Sequence, residues 1–555
     1  MPPDPIRPDT SGVPLVELTR LVETIAGTPD ATGITVTGVT LDSRSVLPGD
    51  LYAALPGFNV HGAGFAADAI AHGAVAVLTD PAGAKLLAGT KLLAGGDHEQ
   101  LGPRPAVPVL VVPAPRAILG SIASVVYGNP STDLTMIGIT GTNGKTTTAY
   151  LIEAALRCHG HRTGLIGTVE TRIGDARLDS VRTTPETTDL HAILAVMRQR
   201  DVDDCVMEVS SHALALHRVD GVRFDVALFT NLSQDHLDFH HSMEEYFGAK
   251  AALFTPERAG RGVICVDDEW GARLAAETAI PVSTLSTLST AAPAPVDADW
   301  QVQSDVDGAF SLTRMRDGLT LDLVSHLPGT FNITNTALAA LALLECGIEP
   351  ADVAIAMASP PTVPGRMEVV VEGGADLPRC IVDYAHTPDA VDAALAALRP
   401  STTGRLIAVL GAGGDRDHGK RGAMGAAAAR RADVVVVTDD NPRSEDPAAI
   451  RSAVADGARC LIASGEAASG EVVDGGSRSR AITEAIALAV AGAKTGAETG
   501  ATRAEPGRAG RVDTVVVLGK GHEKGQEIHG VIRPFDDHDA VRVAIEAAIE
   551  GGAGA

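Results

Sequence analysis

The stretch 136–148 reads MIGITGTNGKTTT and places three glycines, a lysine and five threonines where an apolar run meets a helix-like pattern. Gly141, Gly144 and the small residues between them let backbone N–H groups turn toward an anion, and the following helix N-terminus adds a positive partial charge. Lys145 is placed to reach the β- and γ-phosphates of a nucleotide, and Thr146 to ligate Mg²⁺. A plain glycine turn is the alternative, but Gly-Lys-Thr at a strand–helix junction favours the phosphate reading. The common spelling G-x-x-x-x-G-K-[ST] asks for glycine at position 139, which is Ile139 here.

Other candidates follow downstream. VMEVSSHAL puts Glu208 at the C-terminal end of an apolar strand, where open α/β sheets place ligand contacts. A carboxylate there suits Mg²⁺, although acids at strand ends are often only solvated. TNLSQDHLDFH sets Asp235, His236 and Asp238 just beyond another strand. In SMEEYFGAKAALF the helical neighbours of Lys250 are Tyr246, Phe247, Leu253 and Phe254, so the lysine lies on an apolar face. Two readings stand open. The side chain snorkels along that face, or it is buried with a depressed pKa and reacts as an amine, for instance with CO₂. GAGGDRD lacks dinucleotide-loop spacing, because the third glycine after Gly411 and Gly413 would fall at Arg416. DDNPRSED and GKGHEKGQEIHG offer Asn441, Arg443, Lys520, His522 and Glu523 beyond two further strands. Mixed charges at adjacent strand ends suit a zwitterion such as an amino acid, with polar loop decoration as the alternative.

The elements that must hold these residues follow an α/β rhythm. The first ~130 residues alternate β-like runs with turns and one Ala-rich helix near 64–72. From 135 onward strands alternate with helices, which implies a parallel, helix-covered sheet. SPPTVPGRM near 359–366 reads as a hinge, after which the alternation restarts. The segment 461–510 is rich in Ala, Gly and Glu, and its latter part reads as a flexible surface insertion with a helix around 479–492 inside it. The chain has 555 residues, enough for roughly three to four domains, and its 45% hydrophobic and 21% charged composition is globular. A net charge of −25 argues against nucleic acid as partner. The six cysteines form no C-x-x-C pair, and neither a signal peptide nor an 18-residue apolar run is present, so a reduced, cytoplasmic protein without a membrane span is expected.

Ten segments in order, GTNGKTT, EVSSHAL, TNLSQDHLDFH, the helix with Lys250, LPGTFNITNTALAA, VPGRME, DYAHTPDA, GAGGDRDHGKR, DNPR and GKGHE, together resemble the Mur ligases over about residues 34–540. The resemblance implies three α/β domains: a small UDP-substrate domain (1–133), a central P-loop-type ATPase domain with a mostly parallel sheet (134–365), and a C-terminal Rossmann-like doubly wound domain (366–555). It implies ATP contacts at Gly141, Thr142, Asn143, Gly144, Lys145, Thr146 and Thr147, with Asn332 and Asn335 on adenine and Arg366 and Asp383 on phosphate and ribose. Thr146 and Glu208 match a first Mg²⁺ site; His236 and Lys250 match a second, where the family's lysine is carbamylated by CO₂. With Lys145, the residues Glu208, His236 and Lys250 make up the catalytic set. The family also lacks the upstream glycine, so Ile139 is normal there.

Leu41, Ser43, Phe58, Asn59 and Val60 align with uridine-side contacts of a UDP-N-acetylmuramoyl-dipeptide, and Thr183, Thr184, Ser210 and Arg218 with contacts to its muramoyl-dipeptide part. One departure is Leu216, where glutamine is typical, so that contact is lost. In this family DNPR accompanies the use of meso-diaminopimelate, whose second carboxylate Arg443 can grip bidentately. Arg416, Asp440, Asn441, Pro442, Gly519 and Glu523 match the other amino-acid contacts, Glu523 being suited to an ammonium group. The activity implied is an ATP-dependent amide ligase of peptidoglycan precursor synthesis working through an acyl phosphate, as a monomer on small-molecule substrates. Three alternatives stand beside it: a lysine-adding relative, a folylpolyglutamate synthase-like ligase, and a nucleotide-binding switch without ligase activity.

Overall fold

Short apolar runs near the N-terminus form a four-stranded parallel sheet in the computed structural model, ordered Gly38–Thr40, Asp50–Ala54, Ala76–Thr79, Val109–Val111. The structure describes residues 7–22, 30–57, 59–90, 107–288, 296–304, 308–359, 361–374, 377–498 and 511–552. Phe58 and residues 499–510 of the expected insertion lie outside that set. The Ala-rich helix near 64–72 is present as a 3₁₀ turn, Gly62–Phe65, running into the helix Ala66–Ala71. A further helix, Pro115–Val126, was not read from the sequence; its buried Leu119, Ile122, Ala123 and Val126 join this first core to Ala192 and Ala195 of the central domain.

The central sheet has eleven strands. Its middle is parallel, in the order Thr163–Ile166, Asp204–Glu208, Thr135–Thr140, Phe224–Phe229, Ala259–Cys265, Val282–Ser286, Trp300–Ser304, with antiparallel strands at both edges. Strand side chains alternate between two cores: Ile137 and Ile139 enter one beneath the helices Lys145–Cys158 and Thr330–Glu345, and Met136 enters the other. Burial on both faces explains the near-continuous apolar runs of these strands.

The C-terminal domain carries a six-stranded sheet ordered Glu368–Val371, Arg379–Asp383, Thr514–Leu518, Leu406–Leu410, Val434–Thr438, Glu471–Gly476, parallel except for its first pair. Helices Pro388–Leu398, Lys420–Arg431 and Pro447–Ser464 cover one face, and Arg478–Glu498 and Asp537–Gly552 the other, a doubly wound arrangement. Within 461–510 the structure adds a strand that the sequence reading did not assign and extends the expected helix. Residues 471–476 are an edge strand of this sheet, registered Val472↔Val435 and Val473↔Val436, and the helix expected around 479–492 runs from Arg478 to Glu498. Two valines among glycines and acids gave too weak an alternation to announce the strand.

Candidate active site

The strand Thr135–Thr140 ends one residue before the phosphate loop, so position 139 is still sheet, and Ile139 is fully buried in the core. The loop proper starts at Gly141 (φ 145°) and closes at Gly144 (φ 89°), both in the region that only glycine adopts easily. Space decides them as well: a Cβ on Gly141 would lie 1.9 Å from Thr230 Oγ1, and one on Gly144 2.3 Å from Asn335 Oδ1. Asn143 is held by Asn231, whose Oδ1 accepts from the Asn143 N–H at 3.0 Å, and Thr142 Oγ1 lies 3.2 Å from the Tyr246 hydroxyl. Thr147 is buried in the first turn of the helix Lys145–Cys158.

Two lysines meet at this loop. Lys145 Nζ donates to the carbonyls of Gly141 and Thr142, each at 2.8 Å, and Lys250 Nζ donates to the same Gly141 carbonyl at 2.7 Å. Lys250 is only 1% exposed, with Nζ 4.5 Å from the centre of the Tyr246 ring, so it is buried rather than snorkelling. Burial, then the neighbouring Lys145 charge, pushes the Lys250 amine well below the ordinary lysine range. Lys145 is lowered too, by burial first and by Arg366, against the opposing pull of Glu208 and Asp235. Cations crowded in this way are relieved by an anion, which is the chemistry of a triphosphate site.

Glu208 ends its strand fully buried, yet every bond it makes is polar. It accepts from Thr146 Oγ1 at 2.9 Å, from the Thr168 N–H at 2.8 Å and from Thr168 Oγ1 at 3.1 Å. A carboxylate beside a hydroxyl is a hard oxygen donor set, and it fits Mg²⁺. His236 sits at φ 55° just after Asp235, with its Nε2 3.5 Å from Asp235 Oδ2 and its ring edge-on to Tyr246 at 6.1 Å. Burial together with the nearby His212, Lys145 and Lys250 charges depresses its pKa despite Asp235, so the imidazole is neutral and able to ligate. Lys250 and His236 thus share the Tyr246 ring. Among the described residues no three His, Cys, Asp or Glu side chains form a ready-made metal cluster. The donor set present is Thr146 with Glu208, and His236 with an amine.

Asn332 and Asn335 lie on the buried start of the helix Thr330–Glu345, bonded to each other at 3.1 Å, with Asn335 placed against Gly144. Arg366 follows the hinge glycine Gly365 and reaches across domains: its Nη2 donates to Thr146 Oγ1 at 3.1 Å while its guanidinium covers Tyr384 at 4.3 Å. Asp383 accepts from the N–H groups of Met367 at 2.7 Å and Ala385 at 2.8 Å, so it braces the hinge.

Of the substrate-side residues, Thr183, Thr184 and Ser210 gather around Glu208. Thr184 Oγ1 donates to the Glu208 carbonyl at 2.8 Å and accepts from the Ser210 N–H at 3.1 Å, and Thr183 Oγ1 accepts from Thr168 at 3.0 Å. Arg218 lies 3.0 Å from Glu186, which Arg116 also approaches at 3.2 Å. Leu41 and Ser43 follow the strand Gly38–Thr40, and Asn59 and Val60 are exposed in the next loop. Among the described residues no hydrogen bond joins these four to the Thr183–Arg218 group.

On the C-terminal domain, Asn441 donates to Glu523 Oε2 at 3.1 Å and accepts from Lys520 Nζ at 3.1 Å, and Lys520 donates to Glu523 at 2.7 Å. Asp440 lies half-buried behind them. Burial works to raise its pKa, but the Lys520 and Arg478 charges prevail and hold it low. Gly519 (φ 113°) leaves room for it, since a Cβ there would lie 2.7 Å from Asp440 Oδ2. Arg443 pairs with Glu527 at 3.1 Å, Pro442 is buried, and Arg416 faces Asp238 of the central domain at 3.9 Å along an interdomain cleft. Sequence reading missed Arg478 and Asp537, a fully buried pair at 2.7 Å behind Asp440. SRSR resembles surface decoration, and nothing local marks one of its arginines as internal.

Comparisons with known proteins identify the family. Family models match in chain order: "Mur ligase family, catalytic domain" over residues 35–127, "Mur ligase middle domain" over 139–344, and "Mur ligase, glutamate ligase domain" over 365–521. The chain is 49% identical over 549 residues to the UDP-N-acetylmuramoyl-L-alanyl-D-glutamate–2,6-diaminopimelate ligase of Streptomyces coelicolor, covering 98% of each protein. It is 44% identical over 542 residues to the protein of the same name from Corynebacterium glutamicum, covering 96% of this chain and 97% of that one. A solved structure of a ligase with that name superposes with a TM-score of 0.60 at 29% identity, covering 97% of this chain and 99% of that one. Matched end to end by such relatives and by all three domain models, the chain belongs to the Mur ligase family.

Proposed function

We propose that this chain joins meso-diaminopimelate to the D-Glu γ-carboxylate of UDP-N-acetylmuramoyl-L-Ala-D-Glu, with ATP cleaved to ADP and phosphate, in peptidoglycan precursor synthesis. The observation that carries the reading is that, at the strand ends of the C-terminal domain, a cation, Arg443 held by Glu527, stands in the same loop as Asn441, which bonds Glu523, in a chain whose relatives bear that ligase's name. A carboxylate is a poor electrophile, so it attacks the γ-phosphorus first, giving an acyl phosphate and ADP. The amine then attacks the acyl carbon and phosphate leaves. Lys145 and the loop N–H groups hold the triphosphate, Arg366 closes over it from the hinge, and Asn332 and Asn335 flank adenine. Mg²⁺ at Thr146 and Glu208, and at His236 with Lys250, would neutralise phosphate charge.

For Lys250 to serve a metal it must become an anion. The neutral amine adds CO₂ at its nitrogen and releases one proton, leaving a carbamate; its burial and depressed pKa support this. Leu41, Ser43, Asn59 and Val60 are assigned to the uridine side, and Thr183, Thr184, Ser210 and Arg218 to the muramoyl-dipeptide. Arg416, Asp440, Asn441, Pro442, Arg443, Gly519 and Glu523 take the diamino acid. Domain boundaries at 133/134 and 365/366 are consistent with the three larger sheets, of four, eleven and six strands. All of these groups come from one chain, which suits a monomer, and ATP use with six unpaired cysteines suits the cytoplasm.

The test is phosphate release with UDP-N-acetylmuramoyl-L-Ala-D-Glu, ATP and meso-diaminopimelate. Release must require all three. Release with ATP alone would point to a nucleotide switch, and equal turnover of lysine would point to a lysine-adding enzyme.

A further inference from the structure

We infer that Glu527 is a positioning residue for the diamino acid: its carboxylate aims the Arg443 guanidinium at the substrate's second carboxylate. This rests on the diaminopimelate reading above and extends the site to a hairpin, Gly525–Ile528 with Val531–Pro534, that lies beyond the residues 365–521 matched by the family model.

The hairpin grips the DNPR loop from end to end. Arg443 adopts φ 50°, costly for a residue with a side chain, and persists there because its main chain is bonded on both sides. Its N–H donates to the Glu527 carbonyl at 3.0 Å, and its own carbonyl accepts from the His529 N–H at 2.7 Å, making a parallel bridge to Ile528. Gln526 Nε2 donates to the Asp440 carbonyl at 2.5 Å, and the Glu527 N–H donates to Asn441 Oδ1 at 2.9 Å. Asn441 in turn holds Glu523. One short element therefore sets both the cationic and the anionic partner of a zwitterion.

The guanidinium is fixed by two anchors on different nitrogens. Nε donates to Glu527 Oε2 at 3.1 Å, and Nη1 donates to the Gly414 carbonyl at 2.7 Å. Among the described residues Nη2 has no hydrogen-bond partner. Gly413 keeps the approach open, since a Cβ there would come within 2.9 Å of Nη1. A planar group pinned at two nitrogens presents its remaining donors in one direction, as bidentate recognition of a carboxylate requires. The ion pair itself contributes little to stability, because Arg443 and Glu527 remain 22% and 40% exposed. Its removal should therefore be felt as aim rather than as unfolding.

The experiment compares the full-length wild type with Glu527→Ala, Glu527→Gln, Arg443→Ala and the Glu527→Ala/Arg443→Ala double variant in the three-substrate phosphate-release assay, titrating each substrate in turn. In Glu527→Ala the KM for meso-diaminopimelate should rise about ten-fold, while kcat and the KM values for ATP and the UDP-substrate stay within about two-fold. Glu527→Gln should recover most of the loss, because its amide oxygen still accepts from Nε. On the Arg443→Ala background Glu527→Ala should add nothing, the signature of two residues acting through one contact. An unchanged or lowered KM for diaminopimelate in Glu527→Ala would overturn the inference, a lowered one meaning that Glu527 competes with the substrate. A parallel rise in all three KM values would reduce Glu527 to a structural role. A wild type that does not turn over diaminopimelate would sink the substrate reading itself, and this inference with it.

Discussion

Around the phosphate loop, the fully buried Lys250 and the half-buried Lys145 converge on one carbonyl, with a third cation, Arg366, alongside. Around the DNPR loop, Arg443 and Arg416 stay 22% and 56% exposed, and each already faces a carboxylate. The contrast separates two tasks. Desolvated charges act strongly on whatever anion arrives, which suits activation of a carboxylate by phosphoryl transfer. Solvated, paired charges act weakly in total but are directional, which suits choosing between amino acids that differ by one carboxylate. Substitutions at the first site should therefore abolish turnover, and those at the second should shift preference.

The largest effect is expected from Lys145→Ala. Phosphate release should fall about a thousand-fold at saturating substrates, because a donor to the developing phosphate charge is lost from a low-dielectric site. A loss below ten-fold would mean that the crowded cations are structural. Next comes Lys250→Ala, with about a hundred-fold lower kcat and partial recovery on adding acetate or formate, small anions able to stand where a carbamate would. Full activity without them would remove the carbamate from the site. For Arg443→Ala we expect the KM for diaminopimelate to rise by about 2 kcal/mol, roughly thirty-fold, with KM for ATP unchanged and the preference over lysine reduced. If KM for ATP moves as much, the two sites are less separate than the exposures suggest.

The smallest effect concerns the hinge between them. His538 bonds Glu368 at 2.8 Å and Asp536 at 3.0 Å, and Glu368 accepts from the Gly365 N–H at 2.8 Å, one residue before Arg366. The carboxylates raise the imidazole above its ordinary 6.5, and the hydrogen bond from His538 lowers Glu368 below its ordinary 4.5. The histidine's contribution is complete below pH 6.5 and is lost as pH rises through its raised folded value; the glutamate's is complete above pH 4.5 and is lost as pH falls through its lowered one. The stability gap between wild type and His538→Gln should thus be widest between those limits, at about 1 kcal/mol for a partly exposed pair. Thermal melts from pH 4 to 9 would show it, and a gap that does not vary with pH would dismiss the pair.

Much of the site was legible because it is local. Gly141 through Thr147 form one loop, Glu208 ends one strand, and DNPR and GKGHE each follow one; strand-end placement in a parallel sheet brings such residues to a common edge. What was not legible is non-local. The edge strand Glu471–Gly476 exists because Val434–Thr438 offers it a ladder, and Arg478 is internal because Asp537 and the Leu518 carbonyl, distant in sequence, receive it.

Lys250 shows where the division falls. Its helical spacing put it on an apolar face, and the family resemblance supplied a use for a buried amine; the order of the motifs by itself determined the fold class and the family. Whether that amine snorkels or lies buried depended on the packing of Tyr246, Gly141 and Lys145 around it, and the aim of Arg443 depended on a hairpin about 85 residues away in sequence. Periodicity records which side of an element is apolar, but desolvation and direction arise only when separate elements close over a group, and those decide what its charge can do.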